Sequence, residues 1–272
     1  MITFKKLGHL GRFGNQLFQY AGARMYADIN GFKNAFPGWI GNKIFENITS
    51  YNNREYLLSR FLPTRQLNDW LSYTRIDKLK YMLHLQKQLP QTVDLKKLYA
   101  HPENNISFFG YFQDELSLKI LQERKKDVLG WFTFKKDIAD EFKKTTQNYS
   151  PWTGIHIRRG DFVKRGLSLP AFLYKDFLKS VDKKNIYISC DEPETILEFK
   201  SYPLIRPVNP LPEIPNFIFD FWMLKESEMV LGCGSTFSWW AAYLGDRNNY
   251  FSPPLTHLWP EGYKPTLEKI NI

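Results

Sequence analysis

The second half of the sequence alternates short apolar runs with segments of helical periodicity, and this alternation constrains the fold more than any other feature. The predicted strands span 152–157, 185–190, 228–233 and 248–252, and the predicted helices span 171–181, 193–200, 216–227 and 236–244. Strands that alternate with helices form parallel sheets with crossover connections. We therefore predict a Rossmann-like α/β layer architecture in this half of the chain.

The first half is less regular, although it begins with a similar pattern. A strand is expected over 4–7, followed by a glycine-rich turn and a helix from about Asn15 to Asn30. A further strand is expected over 107–112, and the polar stretch 145–151 indicates a domain boundary. The predicted organisation is an amino-terminal domain over 1–150, a second domain over 151–252, and a tail over 253–272 that could pack back on the first domain.

Composition and charge exclude several classes of protein and indicate the kind of partner that the chain could bind. Hydrophobic residues make up 43% and charged residues 24% of the 272 residues, which excludes a disordered or collagen-like chain. Two cysteines are too few for a disulfide framework or a structural zinc site. The formal net charge of +9 attracts anions such as nucleic acid, acidic lipid or phosphorylated small molecules.

The chain shows no apolar run typical of a signal peptide or of a transmembrane helix. We therefore expect a cytoplasmic protein. The basic, amphipathic stretch Trp70–Gln88 has two interpretations, namely a helix packed on the core or a face for peripheral contact with a membrane.

The first motif is a glycine-rich turn before the first helix, GRFGNQLFQYA over residues 11–21. Glycines at this place let the backbone approach a ligand, and a helix amino terminus offers unpaired N–H groups to an anion. The alternative is a tight turn in which Asn15 caps the helix.

The second motif, HIRRGD over residues 156–161, is sharper. It places Arg158 and Arg159 just after a predicted strand, where open α/β sheets bind ligands. Guanidinium groups bind phosphate oxygens bidentately without a metal. Because side chains alternate along a strand, His156 and Arg158 are expected on the same side. The alternative is a surface turn in which Asp161 pairs with an arginine.

The third motif, GCGSTFSWWAA over residues 232–242, follows another predicted strand and opens a helix. Its small residues and hydroxyl groups are typical of an anion cradle. Trp239 and Trp240 are expected to pack behind the loop, although one of them could line a sugar site. Asp220 on the preceding helix is either a surface charge or an acceptor for the N1–H and amino groups of guanine.

The sequence does not contain the residue patterns of several other types of site. No two aspartates lie two positions apart, so the D-x-D pattern that holds a divalent cation in many nucleotide-sugar transferases is missing. The five histidines show no metal-ligand spacing, and there is no P-loop. We therefore expect neither a metal nor another cofactor.

Together, GRFGNQLFQYA, HIRRGDF and STFSWWAAYL resemble the signature motifs of the bacterial α-1,2-fucosyltransferase family, glycosyltransferase family 11. ISCDEPE over residues 188–194 is similar to a Ser-Asp-Asp segment of that family, with Cys190 interrupting the pattern. Gly232-Cys233-Gly234 also differs from the asparagine-containing segment that often precedes STFSWW.

The resemblance implies a GT-B-like α/β enzyme with two Rossmann-like domains facing a central cleft. It would be an inverting, metal-independent transferase that moves L-fucose from GDP-β-L-fucose to a galactose hydroxyl of a glycan, which could be lipid-linked, in an α-1,2 linkage. A cell-surface polysaccharide is the implied product.

The resemblance also implies residue roles. Arg158 would bind the β-phosphate, His156 would lie against the nucleoside, and Asp161 would orient the arginines or contact the acceptor. Asp220 would bind guanine. Gly14, Asn15 and Gln16 of the first domain would approach the fucose or the diphosphate. The diphosphate would also meet the backbone and hydroxyl groups of four residues of the second domain, Ser235, Thr236, Phe237 and Ser238.

The general base, the acceptor and the oligomeric state are left open, with Asp161 and Glu192 as candidate bases. Two alternatives remain, a GDP-sugar transferase with another linkage or acceptor and a non-enzymatic basic protein that binds nucleic acid or other anions. Basic and acidic residues are interspersed and no nucleic-acid-binding motif is present, so we do not expect nucleic acid as a partner.

Overall fold

The computed structural model describes residues 1–67, 79, 82, 83, 91–181, 185–246 and 249–272. The chain divides into two compact units, Met1–Lys135 and Lys136–Ile272. A four-stranded sheet lies in the first unit and a five-stranded sheet in the second. Among the described residues, no helix is both long enough and apolar enough to span a bilayer.

The first unit is built on a parallel sheet with the strand order β1-β4-β2-β3. Its described strands are β1 (Ile2–Thr3), β2 (Thr64–Leu67), β3 (Gln91–Val93) and β4 (Ile106–Phe109). Its described helices are α1 (Phe13–Ile29), α2 (Ile40–Ile44), α3 (Asn53–Ser59), α4 (Leu95–Ala100), α5 (Glu115–Glu123) and α6 (Lys125–Trp131).

Aromatic rings form much of the core of this first unit. The ring centroids of Tyr20 and Phe36 are 4.8 Å apart. Those of Tyr26 and Phe108 are 5.3 Å apart, in an edge-on arrangement. All four rings are buried. The high aromatic content of the chain is therefore used at least in part for packing, since each such ring buries a large apolar area.

The second unit is a Rossmann-like sheet with the strand order β6-β5-β7-β8-β9, in which only the last pair is antiparallel. Its strands are β5 (Thr153–Ile157), β6 (Ile186–Cys190), β7 (Met229–Leu231), β8 (Tyr250–Ser252) and β9 (Glu268–Lys269). Its described α-helices are α7 (Lys136–Thr146), α8 (Gly160–Lys164), α9 (Ala171–Lys179), α10 (Asn216–Glu226) and α11 (Thr236–Gly245), with 3₁₀ turns at Gln147–Tyr149, Pro193–Phe199 and Thr256–Leu258.

Strand β5 lies between β6 and β7 in this sheet and is buried along its whole length. Ile155 and Ile157 belong to the apolar cluster that contains Tyr174 of α9. On the opposite face, a Cβ at Gly154 would lie 3.0 Å from Leu224 of α10, so that helix packs directly on the strand. The predicted alternation of parallel strands and crossover helices is confirmed in this unit.

The division of the chain differs from the one predicted at 150. Helix α7 belongs to the second unit because Phe142 packs against Phe219 and Trp222 of α10, with ring centroids 5.0 and 5.6 Å apart. The segment 253–272 also belongs to the second unit, where β9 pairs with β8.

Local expectations in the first half change in two places. The first strand is Ile2–Thr3, whereas residues after Phe4 form turns in which the Leu7 N–H donates to the carbonyl of Phe4. Helix α1 begins at Phe13 with Arg12 as its N-cap residue, so Asn15 lies inside the first turn and is not the cap. Nearly all of the stretch 70–88, for which a membrane face or a packed helix was expected, lies outside the described residues.

Candidate functional site

The candidate site lies at the carboxyl ends of three adjacent strands, β6, β5 and β7. In the register of this parallel sheet, Ile157 of β5 lies beside Cys190 of β6, and Ile155 lies beside Leu231 of β7. The residues that follow these strands therefore meet at one edge of the sheet. They are the segments 158–161, 191–192 and 232–238, which contain parts of the second and third sequence motifs.

Arg158 is held at this edge by two carboxylates. Its Nε and Nη2 both donate to Oδ1 of Asp161, over 3.0 and 2.6 Å, and its Nε also lies 3.2 Å from Oδ2 of Asp191. Its side chain is 13% exposed. None of its hydrogen bonds or ion pairs with described residues uses Nη1. The guanidinium is thus fixed along one edge and keeps Nη1 for a ligand.

The backbone of the same loop is fixed by acidic side chains from the end of β6. The N–H of Arg159 donates to Oδ1 of Asp191 over 2.7 Å, and the N–H of Gly160 donates to Oε1 of Glu192 over 3.1 Å. A Cβ at Gly160, where φ is +22°, would lie 2.8 Å from Oδ2 of Asp191. Asp191 therefore binds the side chain of one arginine and the backbone of the next.

The guanidinium of Arg159 is directed to different partners. Its Nη2 lies 3.1 Å from Oε1 of Glu198, and its Nη1 is 3.5 Å from Oγ of Ser168. Ser168 in turn donates to the carbonyl of Arg158 over 2.9 Å. Arg159 consequently braces the loop, which leaves Arg158 as the better candidate for contact with a ligand.

His156 is buried beneath this edge. Its Nδ1 lies 3.6 Å from Sγ of Cys233, and its ring is 5.1 Å from that of Phe237. Burial, reinforced by the positive charge of Arg158, lowers the pKa of His156 from 6.5 to about 3. The imidazole is therefore neutral at neutral pH and cannot supply a positive charge to a phosphate.

The loop after β7 is shaped by Gly234. Its φ is +72°, and a Cβ at this position would lie 2.6 Å from the carbonyl oxygen of Pro254, so glycine is required. Ser235 is the N-cap residue of α11, and its Oγ accepts from the N–H of Phe237 over 3.2 Å. The amino end of α11 is therefore at the same sheet edge as Arg158, where the helix dipole favours negative charge.

The remaining residues of the third motif divide into two groups. Thr236 and Phe237 are partly exposed at the start of α11. Ser238 is fully buried, and its hydroxyl donates to the carbonyl of Ser235 over 3.2 Å. Trp239 and Trp240 are also buried, as expected for packing residues. The structure thus leaves Thr236 and Phe237 as the accessible side chains of this group.

Asp220 borders a cavity of about 240 Å³ beside β6. The cavity is lined by Tyr187 and Cys190 of β6 and by Ile205 and Arg206 of the segment that bridges to this strand. The hydroxyl of Tyr187 donates to Oδ1 of Asp220, and burial raises the pKa of this carboxyl. Asp220 is therefore not a simple surface charge. Since Cys190 precedes Asp191, the cavity and Arg158 lie along the same strand end.

Gly14, Asn15 and Gln16 lie in the first turn of α1, in the first unit. The amide of Gln16 donates to the carbonyl of Gly11 over 3.1 Å, and Oδ1 of Asn15 accepts from Gln113 over 2.9 Å. These bonds fix the glycine-rich turn. The role of the three residues at a donor sugar stays a prediction.

A metal centre is not evident in the part of the chain that the structure describes. No group of three or more His, Cys, Asp and Glu side chains there could hold an ion. The expectation of a metal-free reaction stays a prediction. Of the two candidate bases, Asp161 binds Arg158 and Glu192 binds the backbone of Gly160.

Asp191 and Tyr187 are site residues that the sequence analysis did not identify. Asp191 follows β6 immediately, and β6 pairs with β5. Because adjacent parallel strands end at the same edge, an aspartate at this position was a detectable signal. Tyr187 gave no comparable signal. A tyrosine within a predicted buried strand is ordinarily interpreted as a packing residue, and the sequence does not show that its hydroxyl binds Asp220.

Sequence comparison finds a curated relative but no matching family model. The relative is the α-1,2-colitosyltransferase of Escherichia coli, which is 22% identical over 266 aligned residues. The alignment covers 86% of this chain and 85% of the relative. The likeness therefore extends over both units.

Structural comparison finds solved fucosyltransferases. The α-1,6-fucosyltransferase NodZ soaked with GDP-fucose superposes with a TM-score of 0.59 at 14% identity, covering 98% of this chain and 97% of NodZ. POFUT1 in complex with GDP gives a TM-score of 0.57 at 14% identity, covering 94% of this chain and 98% of POFUT1. The chain therefore has the GT-B α/β fold of the solved fucosyltransferases, and the resemblance to a fucosyltransferase family that its motifs indicated is confirmed.

Proposed function

We propose that the protein is an inverting, metal-independent glycosyltransferase that moves L-fucose from GDP-β-L-fucose to a galactose hydroxyl of a glycan acceptor. The coarser part of this proposal, a transferase that uses a GDP-fucose-type donor, is supported by the fold and by the solved relatives in complex with GDP and GDP-fucose. The α-1,2 linkage is supported by the sequence motifs and by the curated α-1,2-colitosyltransferase.

One observation carries the proposal, which is the position of Arg158. Two aspartates hold its Nε and Nη2 at the carboxyl end of β5, next to the amino end of α11. An oriented guanidinium beside a helix amino terminus is suited to bind a diphosphate. Because Asp161 already accepts from Nε and Nη2, we assign the phosphate contact to Nη1.

The cavity beside Asp220 is the proposed site of the guanine ring. A carboxylate can accept hydrogen bonds from N1–H and the amino group of guanine, whereas adenine and uracil present a different pattern of donors. Tyr187 orients the carboxylate by donating to Oδ1, and Ser189 also hydrogen-bonds this carboxylate, so the base would share its acceptor oxygens with these two side chains. This arrangement would select GDP over ADP and UDP.

In the proposed reaction, an acceptor hydroxyl loses its proton to a base as its oxygen attacks the anomeric carbon of fucose, the bond to the β-phosphate oxygen breaks, and GDP leaves with the bonding electrons. The configuration at the anomeric carbon inverts. Negative charge develops on the diphosphate, and preorganised donors at that point are usually the largest contribution to catalysis. Arg158 is the proposed donor, and Asp161 is the residue that positions it.

A transferase for another GDP-linked sugar is the second candidate. The curated relative is named for transfer of colitose, and the solved relatives include an α-1,6-fucosyltransferase. Competition between GDP-sugars and linkage analysis of the product would separate these reactions from α-1,2 fucosyl transfer.

Calorimetric titration with GDP, ADP and UDP in the presence of EDTA tests the donor site. We expect GDP to bind selectively without a divalent cation. The variant Asp220→Asn should lose about tenfold to a hundredfold in GDP affinity and most of its preference over ADP, since hydrogen bonds to a charged group contribute about 1.5–3 kcal/mol.

Glu213→Gln is the matched control for that titration, because Glu213 is an exposed carboxylate shortly before helix α10. It should bind GDP as the wild type does. Equal binding of the three nucleotides, or selective binding that depends on a metal, would contradict the proposal. The first result would favour a basic anion-binding protein instead, which titration with single-stranded and duplex nucleic acid would examine.

A further inference from the structure

Helix α3 has its amphipathic pattern reversed. Glu55 and Ser59, four residues apart, face the interior, whereas Leu57 and Leu58 face solvent. Phe61, in the turn that continues the helix, is 55% exposed. A helix on the surface of a soluble protein normally packs its apolar stripe against the core and exposes its polar side to solvent. The reversal indicates that the apolar side of α3 meets a surface other than water.

The orientation of α3 is fixed by the polar side chains beneath it. Glu55 accepts from the N–H of Asn52, completing a capping box, and forms an ion pair with Lys33 over 2.5 Å. The hydroxyl of Ser59 donates to the carbonyl of Tyr56 over 2.8 Å within the helix, and Ser59 also hydrogen-bonds the side chain of Tyr51. Rotating the helix to bury its leucines would break the contacts with Lys33 and Tyr51, which lie outside the helix.

The charge around this apolar side has one sign. Arg54 and Arg60 are exposed, and the guanidinium of Arg60 lies 5.4 Å from the ring centroid of Tyr56. Glu55 is the single acidic residue between 51 and 67, and it is buried. We call the set Arg54, Tyr56, Leu57, Leu58, Arg60 and Phe61 the apolar-basic face.

Exposed apolar side chains are concentrated on this face. Four of the fourteen large hydrophobic side chains that are exposed among the described residues lie between 56 and 61, namely Tyr56, Leu57, Leu58 and Phe61. Single exposed hydrophobics are ordinary, but such a concentration marks an interaction surface.

We propose that the apolar-basic face docks on the surface of an anionic lipid bilayer. Leucine and phenylalanine side chains would enter the boundary between headgroups and acyl chains, and the two arginines would bind lipid phosphates. Each basic residue near an anionic leaflet adds attraction. Arg54 and Arg60 are exposed on this face and Glu55 is buried, which gives the face the matching charge. This interaction is independent of the proposed transferase activity.

Vesicle flotation tests this docking. The full chain should bind vesicles of phosphatidylcholine mixed with phosphatidylglycerol and bind pure phosphatidylcholine vesicles much less. The double variant Leu57→Ser, Phe61→Ser should bind the anionic vesicles roughly tenfold more weakly, because two buried apolar side chains are removed from the contact. The double variant Arg54→Gln, Arg60→Gln should lose the preference for anionic vesicles.

A matched control is the double variant Phe172→Ser, Val208→Ser, which removes two exposed apolar side chains from the second unit. It should bind vesicles as the wild type does. Circular dichroism and thermal unfolding establish that each variant is folded. The proposal is overturned if the wild type does not bind anionic vesicles, or if Leu57→Ser, Phe61→Ser binds them unchanged. Sedimentation showing a dimer that dissociates in this variant would equally overturn it and assign the face to a second copy of the chain.

Discussion

Arg158 owes its orientation to two carboxylates that reach it by different routes. Asp161 lies three residues further along the same loop, whereas Asp191 comes from the end of the neighbouring strand. A guanidinium held by one carboxylate can swing about that contact. The second carboxylate removes this freedom, so binding of a phosphate requires less ordering of the side chain.

Replacement of Asp191 should therefore weaken the phosphate contact without removing it. In Asp191→Asn, the amide can still accept from the N–H of Arg159, but it loses the charge that holds Nε of Arg158. We expect the preference for GDP over GMP, measured by calorimetry, to fall by about tenfold. Arg158→Ala should abolish that preference and nearly all transfer, since removal of one such donor typically costs about 100- to 1,000-fold in rate.

A double variant distinguishes a positioning role of Asp191 from a general disturbance of the site. If Asp191 acts through Arg158, adding Asp191→Asn to Arg158→Ala should change the ratio of GDP to GMP affinity little further. Asp176→Asn, which breaks an exposed ion pair with Lys179 on α9, is the control and should keep the wild-type ratio. Additive losses in the double variant would contradict the positioning role.

The sequence revealed one of these carboxylates and not the other for a physical reason. Asp161 and Arg158 lie within a single motif, so their contact depends on one turn. The contact with Asp191 depends on the pairing of β5 with β6, so its signal, an aspartate just after a strand, can be interpreted only once the strand order is known. His156 is a second example, because strand alternation predicts a face for its side chain but not that the ring of Phe237 lies 5.1 Å from its own.

At the scale of elements, the first unit depends on a close approach between α1 and the segment after β4. Gly22 lies in the middle of α1, and a Cβ built there would be 2.1 Å from Cγ of Phe112. Phe112 is buried and also contacts Phe108 at 5.0 Å between ring centroids. The glycine thus sets how closely the helix and the sheet can pack.

Gly22→Ala should destabilise the first unit. Alanine favours a helix over glycine by about 1 kcal/mol, but overpacking of a core typically costs about 1–3 kcal/mol and here requires movement of a whole ring. The measurement is the midpoint of urea unfolding, which should fall.

Gly130→Ala in α6 provides the contrasting substitution. Nothing lies within 4 Å of a Cβ at that position, so the helix propensity of alanine should raise the unfolding midpoint or leave it unchanged. A Gly22→Ala protein as stable as Gly130→Ala would show that Phe112 yields without cost, and the tight packing inferred for α1 would be wrong.

Elements of the second unit could be predicted because their burial has a simple cause. Strand β5, apolar apart from Thr153 and His156, is covered on both faces, so its composition resembles that of buried parallel strands in general. Strands β2 and β3 gave no such signal. Thr64–Leu67 and Gln91–Val93 are short and largely polar, and they join the sheet through their neighbours, β2 beside β4 and β3 beside β2.

On the scale of the whole molecule, stability in acid depends on charge and on buried neutral groups. The chain carries a net charge of +9, and protonation of its carboxylates at low pH increases that charge and the repulsion within the compact state. His156 adds a more specific contribution. Its ring is buried and neutral in the folded chain, with a pKa of about 3 against 6.5 as the ordinary value.

The sign of this contribution follows from the two pKa values. Below pH 6.5 His156 becomes protonated in the unfolded chain, whereas in the folded chain it stays unprotonated down to about pH 3. The free energy of unfolding therefore decreases as pH falls through that interval. The limiting slope from one such group is ~1.4 kcal/mol per pH unit.

Urea unfolding between about pH 7 and about pH 4.5 should therefore show a shallower loss of stability in His156→Gln than in the wild type. His257→Gln, which replaces an exposed histidine of the same unit, should keep the wild-type slope. Identical slopes in all three proteins would mean that His156 is protonated in the folded state, and the neutral imidazole beneath Arg158 would have to be abandoned.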